Sequence, residues 1–164
     1  MKRYLSNFTV ALALLLLIGC GFHLRGAANL SPVLKTMYLE GVNVQRGLGL
    51  TLKRYLISNG VTLVEQATEG GSVLTVLENK YERRVLSVGS DAKVREYQVQ
   101  GLLTFKVTDA AGNVLAEEQT IEAIRDYQFN QDEVLGKAEE EQLLREQMEQ
   151  QLAQSVIRRL SVIK

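Results

Sequence analysis

Residues 96–107 read Glu-Tyr-Gln-Val-Gln-Gly-Leu-Leu-Thr-Phe-Lys-Val, and this stretch decides the fold. Tyr97, Val99, Gly101, Leu103, Phe105 and Val107 alternate with Glu96, Gln98, Gln100, Leu102, Thr104 and Lys106. A period of two puts each set on its own side of an extended chain, so the pattern predicts a strand with one core face and one largely wet face. Downstream, Asp109-Ala110-Ala111-Gly112-Asn113 has hairpin-loop composition, and residues 114–127 return as a second strand with Ile121, Ala123 and Tyr127 inward. Upstream, residues 72–88 form a third long strand. There Val73, Thr75 and Leu77 lie opposite Leu74 and Val76, ahead of a basic patch of Lys80, Arg83 and Arg84. Gly89-Ser90-Asp91 supplies the turn that ends it. These segments predict an antiparallel meander whose long strands project a hairpin around residues 84–95.

The flanking segments supply the cover. Residues 33–40 are apolar and partly alternating, with Met37 and Leu39 on one side, and Gly41 ends this first strand. Leu48, Leu52, Tyr55 and Leu56 fall at helical spacing within residues 45–59, and Asn59-Gly60 gives a left-handed stop. A short extended piece, residues 61–64, precedes the break at Gly70-Gly71. From 131 to 160, Leu144, Met148, Leu152, Val156 and Leu160 recur every four residues, with Leu135, Ala138 and Ile157 widening the stripe. Asn130 or Asp132 can cap this helix. Its glutamates Glu139, Glu140 and Glu141 precede Arg158 and Arg159, the order that the macrodipole favours. The order β-α-β-β-β-α predicts an α+β, two-layer sandwich with two helices packed on one face of a four-stranded sheet.

The N-terminus carries a different signal. Met1-Lys2-Arg3 precedes an apolar run of 10 residues, Val10 to Gly19, and then Cys20, the single cysteine. This is the layout of a secretory signal peptide, and at about 20 residues a bilayer span needs twice that length. Leu17-Ile18-Gly19-Cys20 resembles a lipobox, which implies acylation of Cys20 and cleavage before it. Gly21 at the next position, in place of Asp, implies the outer membrane. The expected organisation is a lipoprotein signal peptide over 1–19, an acylated tether over 20–32 and a single domain over 33–164. Such an anchor is effectively permanent, at about 0.8 kcal/mol for each buried methylene.

Removing residues 1–19 from the 164 leaves 145, enough for one core. The 19 basic and 19 acidic residues become 17 against 19 once Lys2 and Arg3 go, a formal net charge of −2. That balance argues against a nucleic-acid partner, which calls for a basic face. The single histidine, His23, sits three residues from Cys20, so no distant base is available to a cysteine nucleophile. No Gly-x-Ser-x-Gly or phosphate loop occurs, and the adjacent carboxylates Glu139 to Glu141 point in different directions on a helix. The sequence therefore predicts no enzyme, no metal and no cofactor beyond the lipid on Cys20.

Cys20-Gly21-Phe22-His23-Leu24-Arg25-Gly26, the Asn59-Gly60-Val61 helix exit, Glu96-Tyr97-Gln98, the pair Arg125 and Tyr127, and the glutamate-rich last helix ending Arg158-Arg159-Leu160 together resemble the LptE family of lipopolysaccharide-assembly lipoproteins. The likeness spans the whole chain. It implies a plug inside the large outer-membrane β-barrel LptD, an assembly role for that barrel, and contact with lipopolysaccharide on its way to the cell surface. An accessory or pilot lipoprotein for another barrel or a secretin shares the anchor and differs in partner.

Lipopolysaccharide carries phosphates and carboxylates, so its contacts call for cations. Lys93 and Arg95 beside the hairpin are the first candidates, followed by Arg83 and Arg84; edge-strand protection is the competing role for all four. The family places a basic residue in the loop before Glu-Tyr-Gln, where this chain has Gly89-Ser90-Asp91 at the tip. Lys137 aligns with a second family cation, and an ion pair with Glu133 or Glu141 competes for it. Tyr97 and Phe105 read as core residues.

Overall fold

The structure is a computed structural model that describes residues 30–129 and 134–163, with only the backbone described over 134–138. Leu30, within the stretch read as tether, is buried, and Pro32 opens a 3-10 turn, Pro32–Leu34, that buries Leu34 completely. The proline therefore delays the first strand, β1, to Thr36–Glu40. Helix α1, Gly47–Ser58, buries Leu48, Leu52 and Leu56. It ends as its sequence predicts: Gly60 takes φ +83°, its N–H donates to Ile57 O at 3.0 Å, and Val61 N–H donates to Leu56 O at 3.1 Å. These paired bonds are the Schellman arrangement, which glycine permits at no steric cost.

Thr62–Val64 follows as β2, then β3 (Ser72–Val88), β4 (Val94–Asp109), β5 (Val114–Gln128) and the helix α2, Val134–Leu160. The fold is α+β, but the sheet has five strands and not four, in the order β2-β1-β3-β4-β5. The added strand is the short piece after α1. It lies parallel to β1, pairing Thr36 with Thr62 and Tyr38 with Val64. Three residues are too few to show a period of two, so neighbouring backbone makes this strand and not its own pattern. β1 is also parallel to β3, whereas β3, β4 and β5 form the expected antiparallel meander.

The core lies on one side of that meander. Val99, Leu103, Phe105 and Val107 of β4 are buried, and so are Met148, Leu152, Ala153, Val156 and Leu160 of α2, in a single cluster shared with α1. Gly101 sits in the same alternating row. A Cβ there would lie 2.9 Å from Tyr81 Cε1 and 3.1 Å from Met148 Cε, so glycine makes room for both. The other side is a polar ladder: Gln98 donates to Asp126 at 3.0 Å, Gln100 to Glu122 at 2.9 Å, and the hydroxyls of Thr104 and Thr120 lie 2.9 Å apart.

A bulge changes the reading of β3. Leu74 and Val76 pair with Val107 and Phe105, but the register shifts between Val76 and Glu78, after which Tyr81 and Arg83 pair with Gly101 and Val99. The inward set switches from even to odd numbers. Leu77 is left 46% exposed at the bulge. A bulge adds one unpaired residue and turns every later side chain to the other face.

Candidate functional site

Alternation along β3 puts the adjacent Arg83 and Arg84 on opposite faces, and the bulge decides that Arg83 is the one turned to the core side. Arg83 faces α2, where its Nη1 donates to Glu141 Oε2 at 3.1 Å and its guanidinium lies 4.6 Å from the Tyr97 ring centre. The Tyr127 hydroxyl donates to the same Glu141 oxygen at 3.2 Å. Tyr97 packs on Tyr127 with ring centres 5.8 Å apart and meets Phe129 edge-on at 5.1 Å. Phe105 is fully buried, as its position in the alternation predicts, but Tyr97 is half-buried at the rim of the core. Burial pushes the Tyr127 phenol above its ordinary value, which keeps its proton in place for Glu141.

Arg84 lies on the opposite face and donates to Glu82 Oε2 at 3.1 Å. Lys80 closes on the other oxygen of the same carboxylate. Hydrogen bonds from Lys80 and then Arg84 hold the Glu82 carboxyl below its usual range. Lys93 and Arg95 stand together at the hairpin tip. The turn closes through Gly89 N–H to Lys93 O at 2.7 Å and Ala92 N–H to Gly89 O at 3.0 Å, with Ala92 at φ +61°. Arg95 Nη2 lies 3.0 Å from Asp91 Oδ2, and its Nε would lie 2.6 Å from a Cβ on Gly89, so the glycine lets the guanidinium fold back over the turn. Lys93 is exposed and makes no ion pair among the described residues. Lys137 belongs to the first turn of α2; its side chain lies outside the described residues, as do Cys20 and the cap candidates Asn130 and Asp132.

The sequence reading passed over two features. Val85, Leu86 and Val88, just below the turn, are 53%, 47% and 56% exposed, which gives the cationic tip an apolar flank. Their polar neighbours hide this patch in any simple pattern. The second is Arg145, one turn beyond Glu141 on α2, whose guanidinium lies 4.9 Å from the Tyr81 ring centre. In sequence it is one charge among many on a helix face. Cations beside exposed aliphatic side chains suit an anionic amphiphile, because the apolar surface takes the tail while the charges take the headgroup. Among the described residues no three His, Cys, Asp or Glu side chains are grouped to hold a metal ion, and no helix is long and apolar enough to cross a membrane.

This mixed five-stranded α+β domain is shared with solved structures of small bacterial lipoproteins. It aligns with a minor lipoprotein of Acinetobacter baumannii at TM-score 0.67 and 31% identity, over 80% of this chain and 93% of that one. It also aligns with lipoprotein B of Nitrosomonas europaea at TM-score 0.71 and 25% identity, over 86% and 90%. The family model for LptE, described as lipopolysaccharide-assembly, matches residues 34–160, and the chain belongs to that family. A relative from Pectobacterium atrosepticum, the LPS-assembly lipoprotein LptE, is 29% identical over 99% of this chain and 88% of its own length. The relative of the same name from Photorhabdus laumondii is 26% identical over the same shares. The family is one of lipopolysaccharide-assembly lipoproteins.

Proposed function

We propose that this chain is a lipoprotein anchored in the outer membrane through acylated Cys20, which plugs the LptD barrel, aids its assembly and contacts lipopolysaccharide. Residues 1–19 are the signal peptide that is removed, and the residues that follow tether the lipid to a sandwich of two helices over one face of the sheet. The tip of the β3–β4 hairpin carries the ligand reading, because Lys93 and Arg95 stand exposed beside Val85, Leu86 and Val88. The polar ladder on the other face of the sheet supports the plug reading, since the interior wall of a membrane barrel is polar. Lys137, one helical turn before Glu141 in α2, is proposed as a further ligand cation. Arg83 contributes through its hold on Glu141, and Arg84 belongs to the opposite face.

Replacing Lys93 and Arg95 together by Asp tests the ligand reading. Binding of purified lipopolysaccharide, followed by fluorescence titration, should weaken by about tenfold or more, as expected when two charge-assisted contacts become repulsive. The urea midpoint should stay within the range of a surface change. Unchanged affinity in a folded double variant would remove the tip from the site.

A further inference from the structure

A second anion-binding feature lies below the tip, where α2 passes over β3. Beyond Thr75, β3 loses β1 as a neighbour, so from Glu78 onward it forms an open edge of the sheet. A cleft of about 280 Å³ opens there, lined by Tyr81, Glu82, Arg83, Val99, Glu141 and Arg145. Two guanidiniums border it, each laid on a tyrosine ring: Arg83 on Tyr97 and Arg145 on Tyr81. Stacking restrains a guanidinium yet leaves its in-plane N–H donors available, which is the preorganisation that fork-like recognition of a phosphate requires.

The charges at this cleft are uneven. Glu141 is taken by Arg83 and the Tyr127 hydroxyl, and Glu82 by Lys80 and Arg84. Arg145 has no carboxylate within 4.0 Å among the described residues. Glu146 and Glu149 line the neighbouring groove with Arg145; Glu149, 8% exposed, feels the Arg145 charge through space without forming an ion pair with it, and its Oε1 lies 3.5 Å from where a Cβ on Gly47 would stand. One guanidinium fork is thus oriented at an open cleft with no ion pair among the described residues, while the charge of Glu149 acts on it from the other side.

We propose that this cleft binds a phosphate ester, with Arg145 as the primary ligand and Arg83 as its partner. The proposal rests on the lipopolysaccharide reading above, which makes the ester a lipid-linked phosphate; free phosphate shares the same chemistry. Along the hairpin the cleft at Tyr81 and Arg83 lies about six to eight residues, or ~20–26 Å, from Gly89 at the tip, so spanning both takes a large amphiphile with several phosphates.

The test uses the full mature acylated protein in detergent, with bis-phosphorylated lipid A, the same lipid stripped of phosphate, and inorganic phosphate as probes. Arg145→Gln should weaken binding of the phosphorylated lipid by about fivefold to tenfold, leave the stripped lipid unaffected and keep the melting temperature. Arg145→Lys, which keeps the charge and loses the fork, should fall between. Competition by millimolar inorganic phosphate that Arg145→Gln abolishes would assign the cleft to phosphate from either source. Equal affinity of Arg145→Gln and the unsubstituted protein for the phosphorylated lipid overturns the cleft while leaving lipopolysaccharide binding intact. Failure of the unsubstituted protein to bind either lipid overturns both the cleft and the ligand reading beneath it.

Discussion

Gly101 shows how much one residue decides in this fold. It lies where β4, Tyr81 of β3 and Met148 of α2 approach most closely, and any side chain there must displace a ring or a buried thioether. Gly101→Val should lower stability by about 1–3 kcal/mol through overpacking, measured by urea unfolding, even though valine is the better strand former. Glu149 is a second such residue. Burial pushes its carboxyl above the ordinary range, with Glu146 adding to the rise and Arg145 and Thr51 opposing it. A raised folded value means that protons are held more tightly in the fold. The contribution to stability is therefore complete below about pH 4.3, the unfolded value, and is lost as pH rises through the folded one. Glu149→Gln should accordingly be more stable than the unsubstituted protein at pH 7, with the difference shrinking as pH falls through that window; thermal melts across pH 3.5–7.5 read this directly. Ala92, at φ +61° without being glycine, marks a strained turn, and Ala92→Gly should raise stability by up to about 1 kcal/mol.

At the scale of elements, the Arg83–Glu141–Tyr127 latch joins the hairpin to the N-terminal part of α2. Glu141→Gln removes the charge that holds Arg83 in place. Amide exchange should then quicken in the first turns of α2 and stay slow around Met148 to Leu160, where packing alone holds the helix. Uniform protection in the variant would show that the latch does nothing for the helix. The elements differ in how openly the sequence displays them. β4 announces itself because its buried face is apolar over six alternate positions, and the α1 stop because Asn59-Gly60-Val61 carries its own geometry. The bulge at Leu77 leaves no such mark. The inward residues beyond it include Tyr81 and Arg83, polar at their tips, so the change of phase is masked. For that reason the cations are legible as a cluster, and their alternation with them, while which of them turns to the core side is not. Arg83 and Arg84 are adjacent in sequence and serve opposite sides of the sheet.

For the whole molecule, the lengths are uneven in a useful way. β3 has 17 residues and spans about 56 Å, while α2 has 27 and covers about 40 Å, so the strand pair outruns its helical cover. The packed end holds the core and the point where Leu30 enters it. The bare end carries Lys93, Arg95 and the exposed aliphatic residues. This polarity, with the chain entering the core at one end and a charged and apolar tip at the other, suits the proposed plug, which would present its tip to a passing amphiphile. The measurement that bears most directly on this claim is isolation of the acylated protein from outer membranes in mild detergent, followed by identification of whatever co-elutes. The account predicts a stable complex with one large β-barrel protein, the LptD barrel. Elution of the lipoprotein alone, or with a secretin ring in place of that barrel, would contradict it.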